Sequence, residues 1–504
     1  MSNSSSRNKA IIIAYIALGT NMLSMLVLTP FYLKHLGINT YGLYQLIFSV
    51  AQYILMLEFG ISMVMTRYIL QYRIQNDRRE EENFAMHCLL LVLGLCLLIV
   101  MAGWVVENSI ENLFPNLTTG EITVAHSLFK WMIVQIVLIV LDQYFQGVAL
   151  AYERYTIVKG IGLIRILLKT AIVILFIQFG MGVMGIVFAD VLVMLLCCAM
   201  LLLYIKFVLN FKAKWHYFNR QVIKEATPLM FALLLQSIVT YANNAINMTI
   251  LGRMMDTATV AIYAVAMTFI SVYSAVPTTI QSVYLPQATK MVVKRVDNEQ
   301  LTDLVIGPGR IQLILCMGML CGFLLFGQQF ISLWTGVKTL QAWDIALIIM
   351  VPMMIPLVQN VCLVVLTAKN RRTFRSVVLL GIMAVNILFT IVLVKQIGIL
   401  GAPIGTALAY LAGNIVVMNI YYQKKIGFNI PRMFKEIFSG IFWCAIGTAI
   451  ICVPMLLIPA SGMVWFITEC SIFCLVYALL LYGFGLNEKE KSAVMQIYRR
   501  YIHA

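Results

Sequence analysis

Long apolar runs separated by short polar connectors dominate the chain. A helix needs ~20 apolar residues to cross the ~30 Å hydrocarbon core of a bilayer, and the sequence holds fourteen runs of about that length. They lie near 10–33, 42–68, 84–106, 123–150, 158–179, 184–208, 225–250, 258–286, 304–327, 341–367, 373–395, 400–422, 437–458 and 462–484. The pattern predicts an all-α polytopic membrane protein with 14 transmembrane helices. The divisions near 180–184 and 396–400 depend on short, glycine-rich connectors.

Composition supports the membrane class. Of the 504 residues, 62% are hydrophobic and 11% charged, and the mean hydropathy is +0.91. A soluble globular chain is about half apolar and a quarter charged. The first run is too long for the core of a signal peptide, so it is predicted to be the first span. The 11 cysteines lie in apolar runs without paired CxxC motifs, which indicates neither zinc nor disulfides. We expect no metal and no cofactor.

The distribution of the basic residues predicts the orientation of the chain in the membrane. Of the 36 lysines and arginines, 28 fall in alternate connectors together with the termini, four in the other connectors and four inside spans. Positive residues concentrate on the cytoplasmic side, so both termini are predicted to be cytoplasmic. This placement also accounts for the net charge of +15 without a nucleic-acid surface, which would need a basic stripe on one face.

Two pairs of similar segments indicate a duplication. GVMG at 182–185 recurs as GILG at 398–401, and AYER at 151–154 as AKNR at 368–371. These spacings predict an N-terminal six-helix lobe (1–215, helices 1–6), a C-terminal six-helix lobe (216–430, helices 7–12), and helices 13 and 14 with a cytoplasmic tail (431–504). Parallel repeats of six helices are a transporter architecture with a site near the bilayer midplane.

Charged residues inside spans are candidates for a functional site, because charge is costly in hydrocarbon. Arg165 and Lys169 are four residues apart in the fifth run, so they share a helical face. By helical rise they lie ~9 and ~15 Å beyond Lys159 at the inner edge. Asp142 in the fourth run has a depth between them and is predicted to pair with one, either as a structural staple or at a site. The cation left over would need water or an anionic ligand.

Other polar residues inside spans have two interpretations each. We expect Lys130 to pair with Asp190 near the outer mouth. Arg310 either extends to the inner interface or contacts a ligand, and Glu58 lies in the middle of the second run. The polar side chains of the seventh run either join helices or line a hydrated face. These side chains are Gln236, Thr240, Asn243, Asn244 and Asn247.

The sequence lacks several common nucleotide-binding and hydrolase motifs. It contains no GxxxxGK[ST] nucleotide loop and no HExxH or GxSxG motif. The longest outer connector is 107–122, which is short for a catalytic domain of envelope assembly. We therefore expect no enzyme and no catalytic residues.

Four segments carry a family resemblance. YLKHLGINTYGLYQL at 32–46, LEFGIS at 57–62, QGVALAYERY at 146–155 and NMTILGRMMDTATVAIYAVA at 247–266 resemble polysaccharide flippases. These belong to the multidrug/oligosaccharidyl-lipid/polysaccharide exporter superfamily. The resemblance implies an alternating-access flippase that moves undecaprenyl-diphosphate-linked oligosaccharide from the inner to the outer leaflet of the bacterial plasma membrane for surface polysaccharide synthesis. Membrane lipids and a polysaccharide polymerase machinery would be its partners.

The chain departs from this family at two positions. Asn247 stands where the family often has Asp, and Glu58 stands where Asp is usual. This leaves Glu58, Asp142 and Asp190 as candidates for ion coupling.

The sequence thus predicts two sets of site residues. The diphosphate would bind among cations, which are Arg165, Lys169, Lys130 and Arg310. The cavity would be lined by polar and coupling residues, which are Glu58, Asp142, Asp190, Gln236, Asn243, Asn244 and Asn247. The rival hypotheses are a cation-coupled drug or metabolite exporter of the same superfamily, a membrane enzyme of envelope polysaccharide assembly, and a non-transporting membrane scaffold.

Overall fold

A computed structural model describes residues 2–58, 60–217, 220–369, 371–457, 462–488, 490–492 and 495–496, apart from the side chains of some residues inside helices. Within these ranges all regular structure is helical, which confirms the all-α prediction. The helices are α1 Ser2–Leu36, α2 Ile38–Leu55, α3 Ile61–Ile74, α4 Arg78–Glu107, α5 Ile110–Leu113, α6 Thr119–Ala151, α7 Tyr155–Gln178, α8 Met184–Leu203, α9 Arg220–Met254, α10 Thr257–Val283, α11 Leu285–Val293, α12 Asn298–Trp334, α13 Ala342–Val358, α14 Asn360–Ala368, α15 Arg372–Ile397, α16 Gly401–Tyr410, α17 Met418–Tyr421, α18 Ile430–Phe438, α19 Ile441–Cys452 and α20 Met463–Leu480.

The described residues contain 11 helical segments long and apolar enough to cross a membrane. The number is 12 if α13 and α14, which meet at a 42° bend, form one span. One of the 11 segments is the 53-residue stretch Phe374–Ile426, which reverses direction at the short turn Gly398–Leu400. Gly401 packs on Val394 and Gly413 packs on Ile382, so its two arms are antiparallel. The count of fourteen and the cytoplasmic termini stay predictions.

Two helical hairpins each have a close helix approach at a glycine. In α7–α8, Gly185 lies against the side chain of Phe176. In α15–α16, Gly401 lies against the backbone of Leu393 and Val394. The two glycines are 216 residues apart (401 − 185), which is the spacing of the GVMG and GILG segments. The duplication itself stays a prediction.

The chain divides into two compact units, Met1–Ala264 and Val265–Ala504. The first unit therefore includes α9, although the repeat pattern predicts a lobe boundary at 215, and that boundary stays a prediction. The packing of α9 on α2 gives the physical reason. The side chain of Leu46 lies directly over Gly252, and the hydroxyls of Ser49 and Thr249 are 3.1 Å apart.

The second unit has its own apolar core. Buried residues of α12, α14 and the short helix α18 meet there, among them Leu313, Val361 and Ile437. Arg432 on the exposed side of α18 pairs with Asp303 of α12 at 2.8 Å. The α18 segment thus lies along α12 with its apolar face inward.

We predict that Gly42→Ala weakens the first unit. A Cβ at position 42 would clash with the backbone carbonyl of Thr257, and overpacking typically costs about 1–3 kcal/mol. The free energy of unfolding in detergent, followed by circular dichroism, measures the loss. Gly94→Ala is the matched control, because a Cβ on this exposed helical glycine of α4 meets nothing within 4 Å. Equal stability of the two variants would contradict the close packing at Gly42.

Candidate functional site

Helix α7 has one apolar face and one charged face. Ile164, Leu167 and Leu175 form an exposed apolar stripe. At 100° per residue, Arg165 and Lys169 fall on the opposite side of the helix. Ionisable residues within spans face protein or a hydrated cavity rather than lipid. The two cations therefore face into the first unit.

Arg165 pairs with Asp142 of α6. Its Nη2 lies 2.5 Å from Asp142 Oδ2, and Gln146 Nε2 donates to the same oxygen at 2.6 Å. The α6–α7 turn determines this partner. Asp142 lies 11 residues before Glu153 and Arg165 lies 11 residues after Arg154, so they face each other across an antiparallel hairpin. The predicted pairing of Asp142 is thereby resolved to Arg165.

Lys169 pairs with Asp190 of α8. The Nζ of Lys169 lies 2.7 Å from Asp190 Oδ1. Tyr32 of α1 is close enough to interact electrostatically with both groups. Arg165 and Lys169 therefore each have a carboxylate partner, and the expectation that one of them is unpaired was wrong.

The predicted pair of Lys130 with Asp190 is also wrong. Lys130 Nζ lies 3.3 Å from Glu107 Oε1 at the end of α4, and His126 Nδ1 lies 3.0 Å from the same oxygen. The predicted pair rested only on the similar depth of Lys130 and Asp190 in the membrane. Because α7 is the hairpin neighbour of α8, Lys169 of α7 pairs with Asp190 instead. The sequence analysis missed Glu107 as a partner. Its position at the end of the third run, near the level of Lys130, was the available signal.

The two ion pairs are exposed unevenly. The side chains of Asp142 and Asp190 are 2% and 5% exposed, whereas those of Arg165 and Lys169 are 29% and 38% exposed. The carboxylates are thus enclosed by protein and fix the positions of the cations. Part of each cationic side chain stays accessible to a ligand. We call these four residues the α7 charge ladder.

Arg310 lies in a different environment, in the second unit. Its guanidinium donates to both carboxylate oxygens of Glu490 at 2.7 and 3.1 Å. It also donates to the carbonyls of Glu436 at 2.6 Å, Ser439 at 3.1 Å and Gly485 at 2.7 Å. All five donors are occupied and the side chain is 6% exposed, so none is left for a diphosphate. Arg310 instead connects α12 to the ends of α18 and of the last apolar segment.

The remaining predicted residues occupy several positions. Glu58 lies where the second run breaks between α2 and α3, next to Gly60 with φ of 61°, and it accepts a hydrogen bond from Tyr241 at 3.1 Å. Asn247 is buried and donates to the Tyr263 hydroxyl at 2.8 Å, which agrees with a helix-joining role. The side chains of Gln236, Asn243 and Asn244 lie outside the described residues.

Known structures share this fold. The lipid II flippase MurJ in an inward closed conformation superposes with a TM-score of 0.69 and 16% identity, over 93% of this chain and 98% of that one. An inward-facing multidrug resistance MATE family transporter of the MOP superfamily gives 0.63 and 17%, over 82% and 99%. A MOP superfamily transporter from Pyrococcus furiosus gives 0.53 and 18%, over 82% and 96%. No curated protein matches the sequence significantly.

The fold is that of a multi-pass membrane protein, and transporters of the MOP superfamily share it. Residues 6–292 match the family described as "Polysaccharide biosynthesis protein". The match covers more than half of the chain, so the protein belongs to this family. The membership of a polysaccharide family predicted from the sequence is thereby confirmed.

We predict that Asp142→Asn destabilises the protein by about 3 kcal/mol, because it leaves Arg165 without its counter-ion. The Asp142→Leu/Arg165→Leu double variant should recover most of the loss, since replacing a buried ion pair with apolar residues is often neutral. Denaturant unfolding in detergent measures all variants.

The Glu107/Lys130 pair provides a matched control for this cycle, because Lys130 is 65% exposed. Breaking that pair should cost no more than about 1 kcal/mol. A Glu107→Gln loss as large as that of Asp142→Asn would contradict the special burial of the α7 pairs.

Proposed function

We propose that the protein is an alternating-access flippase that moves undecaprenyl-diphosphate-linked oligosaccharide from the inner to the outer leaflet of the bacterial plasma membrane. The family match and the MurJ-like fold support a transporter that serves polysaccharide synthesis. The substrate assignment depends on one observation. The side chains of Arg165 and Lys169 are partly exposed while their carboxylate partners are enclosed.

The spacing of the two cations suits a diphosphate. Side chains at i and i+4 have Cβ atoms ~5–6 Å apart, so one ligand with two adjacent phosphoryl groups reaches both. A guanidinium binds phosphate through two parallel N–H donors, and an ammonium binds as a point charge. Asp142 and Asp190 would hold these cations in place before the ligand arrives, which lowers the ordering cost of binding.

The carboxylates give the site a second role in coupling. An anion that draws Arg165 or Lys169 away from its partner leaves a buried carboxylate without a counter-ion, which is costly. Uptake of a cation by Asp142 or Asp190 would remove that cost. Glu58, which is less enclosed, is a third candidate for this role. Either an ion gradient or the membrane potential would then drive net transport.

Drug export is the second candidate, because MATE transporters share the fold. An exporter of cationic drugs needs an accessible carboxylate, whereas Asp142 and Asp190 are buried and paired with cations. The exposed charge of the ladder is positive, which favours an anionic ligand.

We predict that Arg165→Gln/Lys169→Gln abolishes surface polysaccharide and causes lipid-linked oligosaccharide to accumulate on the inner leaflet. The double variant removes both phosphate-binding groups. Surface polysaccharide is measured by immunoblotting and leaflet distribution by accessibility of the sugar in inverted vesicles. Lys130→Gln is the matched control, since this cation lies in a span but pairs with Glu107 at the surface, and it should export normally.

A charge-free variant of the α7 charge ladder that still folds distinguishes a loss of ligand binding from a loss of stability. Asp142→Leu/Arg165→Leu with Asp190→Leu/Lys169→Leu keeps the apolar contacts and removes every charge. If this variant reaches the membrane at the wild-type level and still exports polysaccharide, diphosphate binding by the ladder is wrong. Drug sensitivity without accumulation of lipid-linked sugar would favour the exporter.

A further inference from the structure

A polar cavity of about 370 Å³ lies at one end of the first unit. Its charged and phenolic lining comes from three parts of the chain, which are the junction of α3 with α4, the turn after α6 and the connector after α8. Arg73 lies at the end of α3, Arg78, Glu81 and Glu82 lie at the start of α4, Tyr152 follows α6, and Lys212 belongs to the connector after α8. The volume falls within the range of small-ligand sites, about 300–1,000 Å³. We call this cavity the connector pocket, and it contains no residue of the α7 charge ladder.

Specific contacts hold the pocket walls together. Arg73 donates to the carbonyl of Ala151 at 2.8 Å, and its guanidinium lies 4.0 Å from the centre of the Tyr152 ring. Tyr152 in turn donates to Glu81 at 2.7 Å. Burial, together with the Glu81 carboxylate, raises the pKa of Tyr152, so the phenol stays a donor at physiological pH. The wall between α3, α4 and α6 is therefore prearranged.

The connector after α8 closes the other side of the pocket. Asn83 Oδ1 accepts from the backbone N–H groups of His216 and Tyr217 at 3.1 and 3.3 Å. The backbone N–H of Lys214 donates to the carbonyl of Glu82 at 3.2 Å, and the Trp215 ring stacks on His87 at 4.5 Å. The segment that carries Lys212 is thus fixed to the start of α4.

The pocket presents both signs of charge. Glu82 pairs with Arg78 at 3.3 Å and with Lys214 at 3.8 Å, and the His216 ring lies 3.3 Å from it. Glu81 is buried and accepts a hydrogen bond from the Tyr152 hydroxyl, and an ammonium beside it would offset the cost of burying its charge. The heads of Arg78 and Lys212 are exposed. A ligand that matches this set carries a phosphate for the two cations and an ammonium for Glu81.

Exposed apolar residues next to the pocket point to a lipid rather than a soluble ligand. Ile74 is 73% exposed, Phe207 67% and Val208 57%, and each neighbours a lining segment in the chain. The ammonium of Lys206 lies 5.5 Å from the centre of the Phe207 ring, as a lysine does when it extends from hydrocarbon toward the interface. This arrangement suits a lipid headgroup in the pocket with its acyl chains against the exposed apolar residues.

We propose that the connector pocket binds the phosphoethanolamine headgroup of a membrane phospholipid, with the phosphate against Arg78 and Lys212 and the ammonium against Glu81. This site is separate from the α7 charge ladder and does not depend on the transported substrate. An occupied pocket ties the α8–α9 connector to α3 and α4.

Native mass spectrometry of the full-length protein in detergent tests the proposal. Phosphatidylethanolamine, phosphatidylglycerol and phosphatidylcholine with dioleoyl chains are added at equal concentration, and the bound fraction of each is measured. We expect phosphatidylethanolamine to bind about tenfold more tightly than the others, the size expected from one charge-assisted hydrogen bond. Phosphatidylglycerol lacks the ammonium, and the methylated ammonium of phosphatidylcholine has no N–H to donate.

Two sets of variants assign the roles. Glu81→Gln should reduce phosphatidylethanolamine binding to the level of phosphatidylglycerol, and Arg78→Gln/Lys212→Gln should weaken binding of all three lipids. Glu488→Gln and Lys290→Gln, exposed residues of the second unit, are matched controls and should leave binding unchanged.

Three results would overturn the proposal. Equal binding of phosphatidylglycerol and phosphatidylethanolamine would remove the role of Glu81. Unchanged selectivity in folded Glu81→Gln would do the same. Binding of soluble O-phosphoethanolamine without retention of the lipid would show that the ligand is a free phosphate compound.

Discussion

The cost of an unpaired charge in hydrocarbon organises the centre of the first unit. Two carboxylates lie almost completely enclosed at membrane depth, and each has a cation of α7 beside it that offsets the cost of burying a charge. Asp142 and Arg165 hold α6 against α7, while Lys169 and Asp190 hold α7 against α8. The polar groups thus decide which faces of these helices meet, a matter that apolar packing alone leaves open in a bilayer.

The same pairs connect architecture to transport. A carboxylate that is enclosed and a cation that is partly exposed form an asymmetric pair, which presents positive charge to a ligand while its counter-ion stays fixed. Binding of an anion would then weaken the helix contacts that the pairs maintain. Ligand binding at such a site would itself change the contacts between the helices, because the same ion pairs bind the ligand and hold the helices together. In the second unit, Arg310 shows the opposite case, since its five hydrogen bonds make it purely structural.

Hairpin geometry explains which sequence predictions about the site succeeded. Asp142 and Arg165 are equally far from one turn, so their pairing follows from counting along the chain. Lys130 and Asp190 were matched by depth alone, and depth does not say which helices are neighbours. Glu107 and Glu490 were missed because they lie at the edges of apolar runs or beyond them, where a charge needs no explanation in a membrane protein. The connector pocket could not be foreseen either, because its walls come from three separate connectors.

The sequence by itself determined the class of the protein, the direction of its charge bias, the family and the two cations on one face of α7. These features depend on hydropathy, helical period and local motifs, all of which operate over one or two helical turns or one span. Only the tertiary structure decided which carboxylate meets which cation, which cations stay partly exposed, and where a connector folds back on the helix ends. These outcomes depend on helix neighbours and burial, which arise from contacts between residues far apart in the chain.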